Sequence, residues 1–125
     1  MHEAVRVLVI DDDPVILKLL QVNFEMEGFA VLTASDGLQG LQAARDSRPD
    51  VVISDVMMPH MNGLELVAAL GADEGTDDIP IILLSARAQG TDVTEGLDVG
   101  ADAYVTKPFD PLQLIDQVHL LLSRT

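Results

Sequence analysis

The sequence predicts a doubly wound α/β fold, a parallel sheet with helices packed on both faces. Three observations carry that expectation. Five short apolar runs alternate with five stretches of helical pattern along the chain. Several of the runs are almost continuously apolar, as in strands covered on both sides. The joints between them carry Asp, Asn, Pro and Gly, the residues that cap helices and make turns.

Val5 to Ile10, apolar apart from Arg6, reads as the first strand and stops at three aspartates. Asp13-Pro14 then supplies an N-cap and a first helical position. Ile16, Leu17, Leu20 and Phe24 give that helix an apolar face, and Gly28 ends it. Ala30 to Ala34 is the second strand. Asp36-Gly37 opens a helix expected to bury Leu38, Leu41 and Ala44, and Pro49 closes the connection. Val51 to Ser54 is the third strand, ending at Asp55. The loop from Met58 to Gly63 leads to a helix marked by Leu64, Val67 and Leu70. Ile79 to Leu84 is the fourth strand, ending at Ser85. Thr91 to Val99 is the weakest helix, because Gly96 lies inside it and strong apolar anchors are few. Ala103 to Thr106 is the fifth strand, ending at Lys107-Pro108. Leu112, Ile115, Val118, Leu121 and Leu122 mark the last helix. Right-handed crossovers between such units make the flavodoxin-like order 2-1-3-4-5 the expected one.

The 125 residues suit a single domain, 1–125, with a core over about 5–122. With 48% hydrophobic but only 3% aromatic residues, that core must be aliphatic. No apolar run approaches a membrane span, and no basic, apolar leader opens the chain. The absence of cysteine removes disulfides and thiolate metal sites and fits a reducing compartment, so a cytoplasmic location is expected. The net charge of −14 would repel a phosphate polyanion, which argues against direct nucleic-acid binding by this chain.

In such folds the functional site lies at the carboxyl ends of the strands, near the switch between the first and third. There the sequence delivers Asp11-Asp12, Asp55, Ser85 and Lys107. Three carboxylates on one edge repel each other unless a cation joins them, and an all-oxygen donor set favours Mg²⁺. A carboxylate in such a site can attack a phosphoryl group without a general base. The product would be an aspartyl phosphate, with Mg²⁺ and Lys107 meeting the phosphoryl oxygens and Ser85 donating a hydrogen bond.

Asp11-Asp12 after an apolar strand, Asp55 followed by Pro59 and Gly63, Ser85-Ala86, and Lys107-Pro108 together resemble the response-regulator receiver domains of two-component phosphorelay signalling. The resemblance runs from about Arg6 to Leu122. It implies that Asp55 is the phospho-acceptor. It also implies that Asp12 and Asp55 bind Mg²⁺ directly, Asp11 mainly through water, and Met57 through its backbone carbonyl. By the same resemblance Ser85 is the switch hydroxyl, Tyr104 the aromatic switch and Lys107 the phosphate-binding lysine, with a cis Lys107-Pro108 bond. The donor would be a phosphohistidine on a histidine kinase or histidine phosphotransfer protein. The domain would catalyse its own phosphorylation and dephosphorylation rather than act as an enzyme on other substrates. A homodimer or output domain would use the face of the fourth helix, fifth strand and fifth helix. On that face Asp116, Gln117 and His119 precede Arg124 without an intervening Lys or Arg, which departs from a mixed acid–base surface. Met57 and Arg87, two residues beyond Asp55 and Ser85, would flank the route of attacking water.

Plainer roles suit other residues. Asp13 reads as a cap, His60, and likewise His2 and His119, as plain residues without a site role, and the side chains of Met57, Met58 and Met61 as loop packing. A rival reading is a small Mg²⁺-dependent phosphohydrolase of the haloacid-dehalogenase type, since Asp11 to Val15 fits its Asp-x-Asp-x-Thr/Val pattern. That reading makes Asp11 the nucleophile, leaves Asp55 without a role, and lacks both an acidic pair after the lysine and a cap segment.

Overall fold

The computed structural model describes residues 4–86 and 90–123. Its elements in chain order are β1 (Arg6–Ile10), α1 (Pro14–Met26), β2 (Ala30–Ala34), α2 (Gly37–Ser47), β3 (Val51–Asp55), α3 (Gly63–Gly71), β4 (Ile81–Ser85), α4 (Gly90–Asp98), β5 (Ala103–Thr106) and α5 (Pro111–Leu122). The strands form one parallel sheet in the order β2-β1-β3-β4-β5. This is the expected flavodoxin-like architecture.

Alternation along each strand divides the core into two layers. Val7, Val9, Ile53, Ile82 and Leu84 pack with Leu20 and Phe24 of α1 and with Leu114, Ile115 and Val118 of α5. Leu8, Ile10, Val52 and Leu83 pack on the opposite face with Leu41 and Ala44 of α2 and Leu66, Val67 and Leu70 of α3. Each large side chain so buried contributes about 1.5–3 kcal/mol. Among the described residues no helix is long and apolar enough to cross a membrane.

The helix starts are fixed by side chains. Asp13 accepts from the Val15 N–H at 2.9 Å, Asp36 from Gln39 at 2.8 Å and Asp110 from Leu112 at 2.9 Å. Asn62 and Glu65 form a reciprocal capping box at the start of α3. Such caps are each worth about 1 kcal/mol. Arg6 ties α2 down from β1: its guanidinium donates to the Ser47 and Arg48 carbonyls.

Several sequence expectations need correction. Leu38 is 52% exposed, and α2 instead buries Gly37, Gly40, Leu41 and Ala44. Gly40 matters because a Cβ there would lie 2.4 Å from Ile10 Cδ1, so glycine lets α2 approach the sheet closely at this position. Leu112 is 59% exposed, and Leu114 joins Ile115, Val118 and Leu121 in the buried face of α5. Leu112 is only the second residue of the helix, where the face had barely turned inward. In α3 the buried set is Leu66, Val67 and Leu70, with Leu64 only partly covered. The fourth strand starts at Ile81 and not Ile79, because Pro80 has no N–H to donate; its carbonyl still accepts from Val52 at 3.0 Å. The first strand starts at Arg6 and not Val5, and α4 runs Gly90–Asp98.

Candidate functional site

The register brings the strand ends together. Asp55 closes β3 opposite Leu84, and Ser85 closes β4 opposite Thr106. The Lys107 N–H donates to the Ser85 carbonyl at 2.8 Å, which extends the β4–β5 ladder one residue beyond β5. The Asp11 N–H donates to the Ala34 carbonyl at 3.2 Å, which likewise extends β1 against β2. Asp11 and Lys107 are therefore carried by backbone pairing although both lie outside their strands.

Asp11 is fully buried, Asp55 nearly so and Asp12 exposed. One oxygen from each of these three lies within 4.8 Å of the others. Lys107 reaches over them, with Nζ 3.0 Å from Asp11 Oδ2 and 3.4 Å from Asp55 Oδ1. The other Asp11 oxygen accepts from the Asp13 N–H at 2.9 Å, so both of its oxygens are engaged. Sequence reasoning gave Asp13 a capping role only; its backbone also orients Asp11.

The electrostatics follow from this crowding. Burial pushes the Asp55 carboxyl above its ordinary range, and the neighbouring Asp11 charge adds to the rise; Lys107 offsets part of it. For Lys107 burial works downward, but the bond to Asp11 and the charges of Asp11 and Asp55 outweigh it and hold the ammonium above its usual value. A second cation would relieve the remaining repulsion. Hard oxygen donors, one solvent-facing carboxylate and no sulfur or imidazole fit Mg²⁺.

The loop after β3 is set by α3. The Gly63 N–H donates to the Val56 carbonyl at 2.8 Å. A Cβ on Gly63 would lie 2.5 Å from the Asp55 carbonyl oxygen and 2.9 Å from Val56 Cα, so only glycine allows this approach. Met58 and Met61 pack against the α2/α3 layer as expected, but Met57 does not: it is 55% exposed. Ser85 is fully buried at its strand end. Tyr104 lies on β5 opposite Leu83, its ring packed on the α2/α3 layer. The Lys107-Pro108 bond is cis. Arg87, His2 and Arg124 lie outside the described residues.

Concavity alone would not have found this site. A groove of about 880 Å³, lined by Arg48, Asp50, Asp73 and Ile79 among others, lies at the opposite end of the sheet and holds none of these groups. An apolar groove of about 510 Å³ runs along α1 from Pro14 to Asn23, with Val15, Leu19 and Val22 exposed.

A family model described as the response regulator receiver domain matches residues 7–119. The chain is 46% identical over 124 residues to the transcriptional regulatory protein CseB of Streptomyces avermitilis, covering 99% of this chain and 52% of that protein. It is 43% identical over 120 residues to the DNA-binding dual master transcriptional regulator RpaA of Synechocystis sp., covering 96% and 50%. The chain thus spans about half the length of the curated relatives it matches. Among solved structures, the receiver domain of a Francisella response regulator aligns with TM-score 0.90 at 36% identity, covering 95% of this chain and 97% of that one. The chemotaxis protein CheY4 of Vibrio cholerae aligns with TM-score 0.89 at 34% identity, covering 94% and 98%.

Proposed function

Because the chain belongs to the response regulator receiver domain family, a regulatory module of two-component signalling, we propose that it works by accepting a phosphoryl group on Asp55 from a partner's phosphohistidine. The single observation that carries this reading is the convergence of Asp11, Asp12, Asp55 and Lys107 at one sheet edge. The chain acts as one unit over about residues 5–122.

Asp12, Asp55 and the Met57 carbonyl would hold Mg²⁺, with Asp11 acting through water; the cation when bound neutralises charge on phosphoryl oxygens. An Asp55 oxygen forms the new O–P bond as the N–P bond of the donor breaks. The imidazole keeps the electron pair and is reprotonated from solvent. Lys107, already poised between Asp11 and Asp55, swings its ammonium onto a phosphoryl oxygen. Ser85 donates to another oxygen, and its movement changes the packing available to Tyr104. The face of α4, β5 and α5 then shifts in population toward a partner-binding form, as a homodimer or toward an output domain.

Asp55 is the better nucleophile than Asp11. Both Asp11 oxygens are occupied, by the Asp13 N–H and by Lys107. The exposed apolar groove on α1, lined by Val15 and Lys18 among others, suits docking of the donor's helices. Fluorine NMR of beryllofluoride with Mg²⁺ tests the assignment. A bound signal is expected in the wild type and none in Asp55→Asn; a bound signal surviving in Asp55→Asn would move the acceptor role to another carboxylate, Asp11 first.

A further inference from the structure

Gly96 is buried inside α4, where glycine is the poorest non-proline helix former, so its presence needs a reason. The surroundings give one. A Cβ at this position would lie 2.9 Å from Tyr104 Cδ2, 3.2 Å from Tyr104 Cε2 and 3.2 Å from Leu83 Cδ1. Leu83 and Tyr104 are direct partners across β4 and β5. The bare Cα of Gly96 therefore completes a three-sided seat for the ring: α4 on one side, and the two strands beneath.

A Cβ here cannot be absorbed by Leu83, which is fully buried in the sheet with β3 and β5 on either side. The tyrosine can yield, because it stands on the edge strand and is only partly covered. Tyr104 and Thr106 lie two apart on β5 and so point to one face, as do their partners Leu83 and Ser85 on β4. The seat is thus one register step from the buried hydroxyl at the end of β4.

We propose that Gly96 is a positioning residue for the Tyr104 ring, its missing side chain keeping open the seat that the ring occupies in the unmodified chain and leaves or re-enters when the site at Asp55 is charged. The coupling to Asp55 rests on the function proposed above; the seat itself does not. Replacement by alanine closes the seat and removes one of the two ring conformations between which the switch moves. The response of the ring to a phosphoryl mimic then shrinks, whether or not the mimic still binds.

The chain has one tyrosine, so tyrosine labelled at the ring ε carbons gives an NMR signal that reports Tyr104 alone. In unmodified Gly96→Ala the signal is expected to move away from its wild-type position. On saturation with Mg²⁺ and beryllofluoride, the change in that signal is expected to fall to less than half the wild-type change while fluorine NMR still shows the mimic bound. Identical ring signals in the unmodified proteins, or a full wild-type response in Gly96→Ala, would overturn the proposal. Failure of the mimic to bind the wild type would instead count against Asp55 and leave the comparison of unmodified proteins standing. Should Gly96→Ala melt too low to assay, adding Tyr104→Ala must restore its stability; no rescue also overturns the proposal.

Discussion

Lys107 Nζ lies 3.0 Å from Asp11 and 3.4 Å from Asp55, so one ammonium bridges the carboxylate just after β1 and the one that ends β3. The Asp11 side chain is almost fully buried and that of Lys107 is 21% exposed. Removing the ammonium leaves two buried carboxylates facing each other. Lys107→Gln is expected to destabilise the metal-free protein by about 2 kcal/mol, below the figure for fully buried pairs because solvent reaches the lysine. Labelling from acetyl phosphate should fall on the order of 100-fold. Chemical denaturation in chelator and a labelling time course check the two effects separately.

Asp55 is held above its ordinary protonation range by burial and by the Asp11 charge. A carboxyl raised on folding contributes stability that is full below its unfolded pKa and lost as pH rises through the folded value. In chelator, Asp55→Asn should therefore melt above the wild type at neutral pH. The gap should close toward about pH 4, where the unfolded carboxyl also binds its proton. A stability difference of 1 kcal/mol would move the melting temperature by about 4 °C at this size. A gap that widens as pH falls would contradict the sign.

Val15 and Leu19 line the groove on α1 but take no part in the charged cluster. Val15→Glu and Leu19→Glu should slow phosphotransfer from a phosphohistidine donor by about tenfold, as expected for loss of an interface anchor. Labelling by acetyl phosphate, which needs no docking, should stay within about twofold. Equal losses with both donors would remove the α1 groove from the account.

Met57, two residues beyond Asp55, is 55% exposed and offers only a weakly accepting thioether with no donor to orient water. The phosphoryl group should therefore be long-lived. Met57→Asn, which adds an amide able to hold water, should shorten its half-life on the order of tenfold, or about 1.4 kcal/mol of barrier. An unchanged half-life in a chase after labelling would rule out this role.

Gly63, the first residue of α3, is pinned against the end of β3, its would-be Cβ blocked by backbone atoms that cannot rotate away. Gly63→Ala should cost about 1–3 kcal/mol, the range of a backbone forced to shift in a packed core. It should also weaken Mg²⁺ binding measured by calorimetry, because the loop bearing Met57 moves with it. Full Mg²⁺ affinity in a destabilised variant would separate packing from the site.

Most of this was legible in the sequence for one reason: strand ends in a doubly wound sheet are determined by chain order. Once the apolar runs were placed, Asp11, Asp12, Asp55, Ser85 and Lys107 had to fall on one edge. What the sequence hid was the work of small groups. Leu38 looked like core because it is large, yet the buried positions are Gly37, against Met61, and Gly40, against Ile10 of the sheet. Gly96 looked like a weak point of its helix, yet it borders the Tyr104 ring. Asp13 looked like a cap, which it is, but its N–H also holds Asp11, a contact that no side-chain pattern encodes.

The most direct test of the central claim is mapping of the label after incubation with acetyl phosphate and Mg²⁺. Borohydride reduction traps an aspartyl phosphate, and peptide mass spectrometry locates it. The account predicts a single labelled site at Asp55, absent in Asp55→Asn and still traceable to Asp55 in Asp11→Asn. A label on Asp11, or full labelling of Asp55→Asn that disappears in Asp11→Asn, would contradict it.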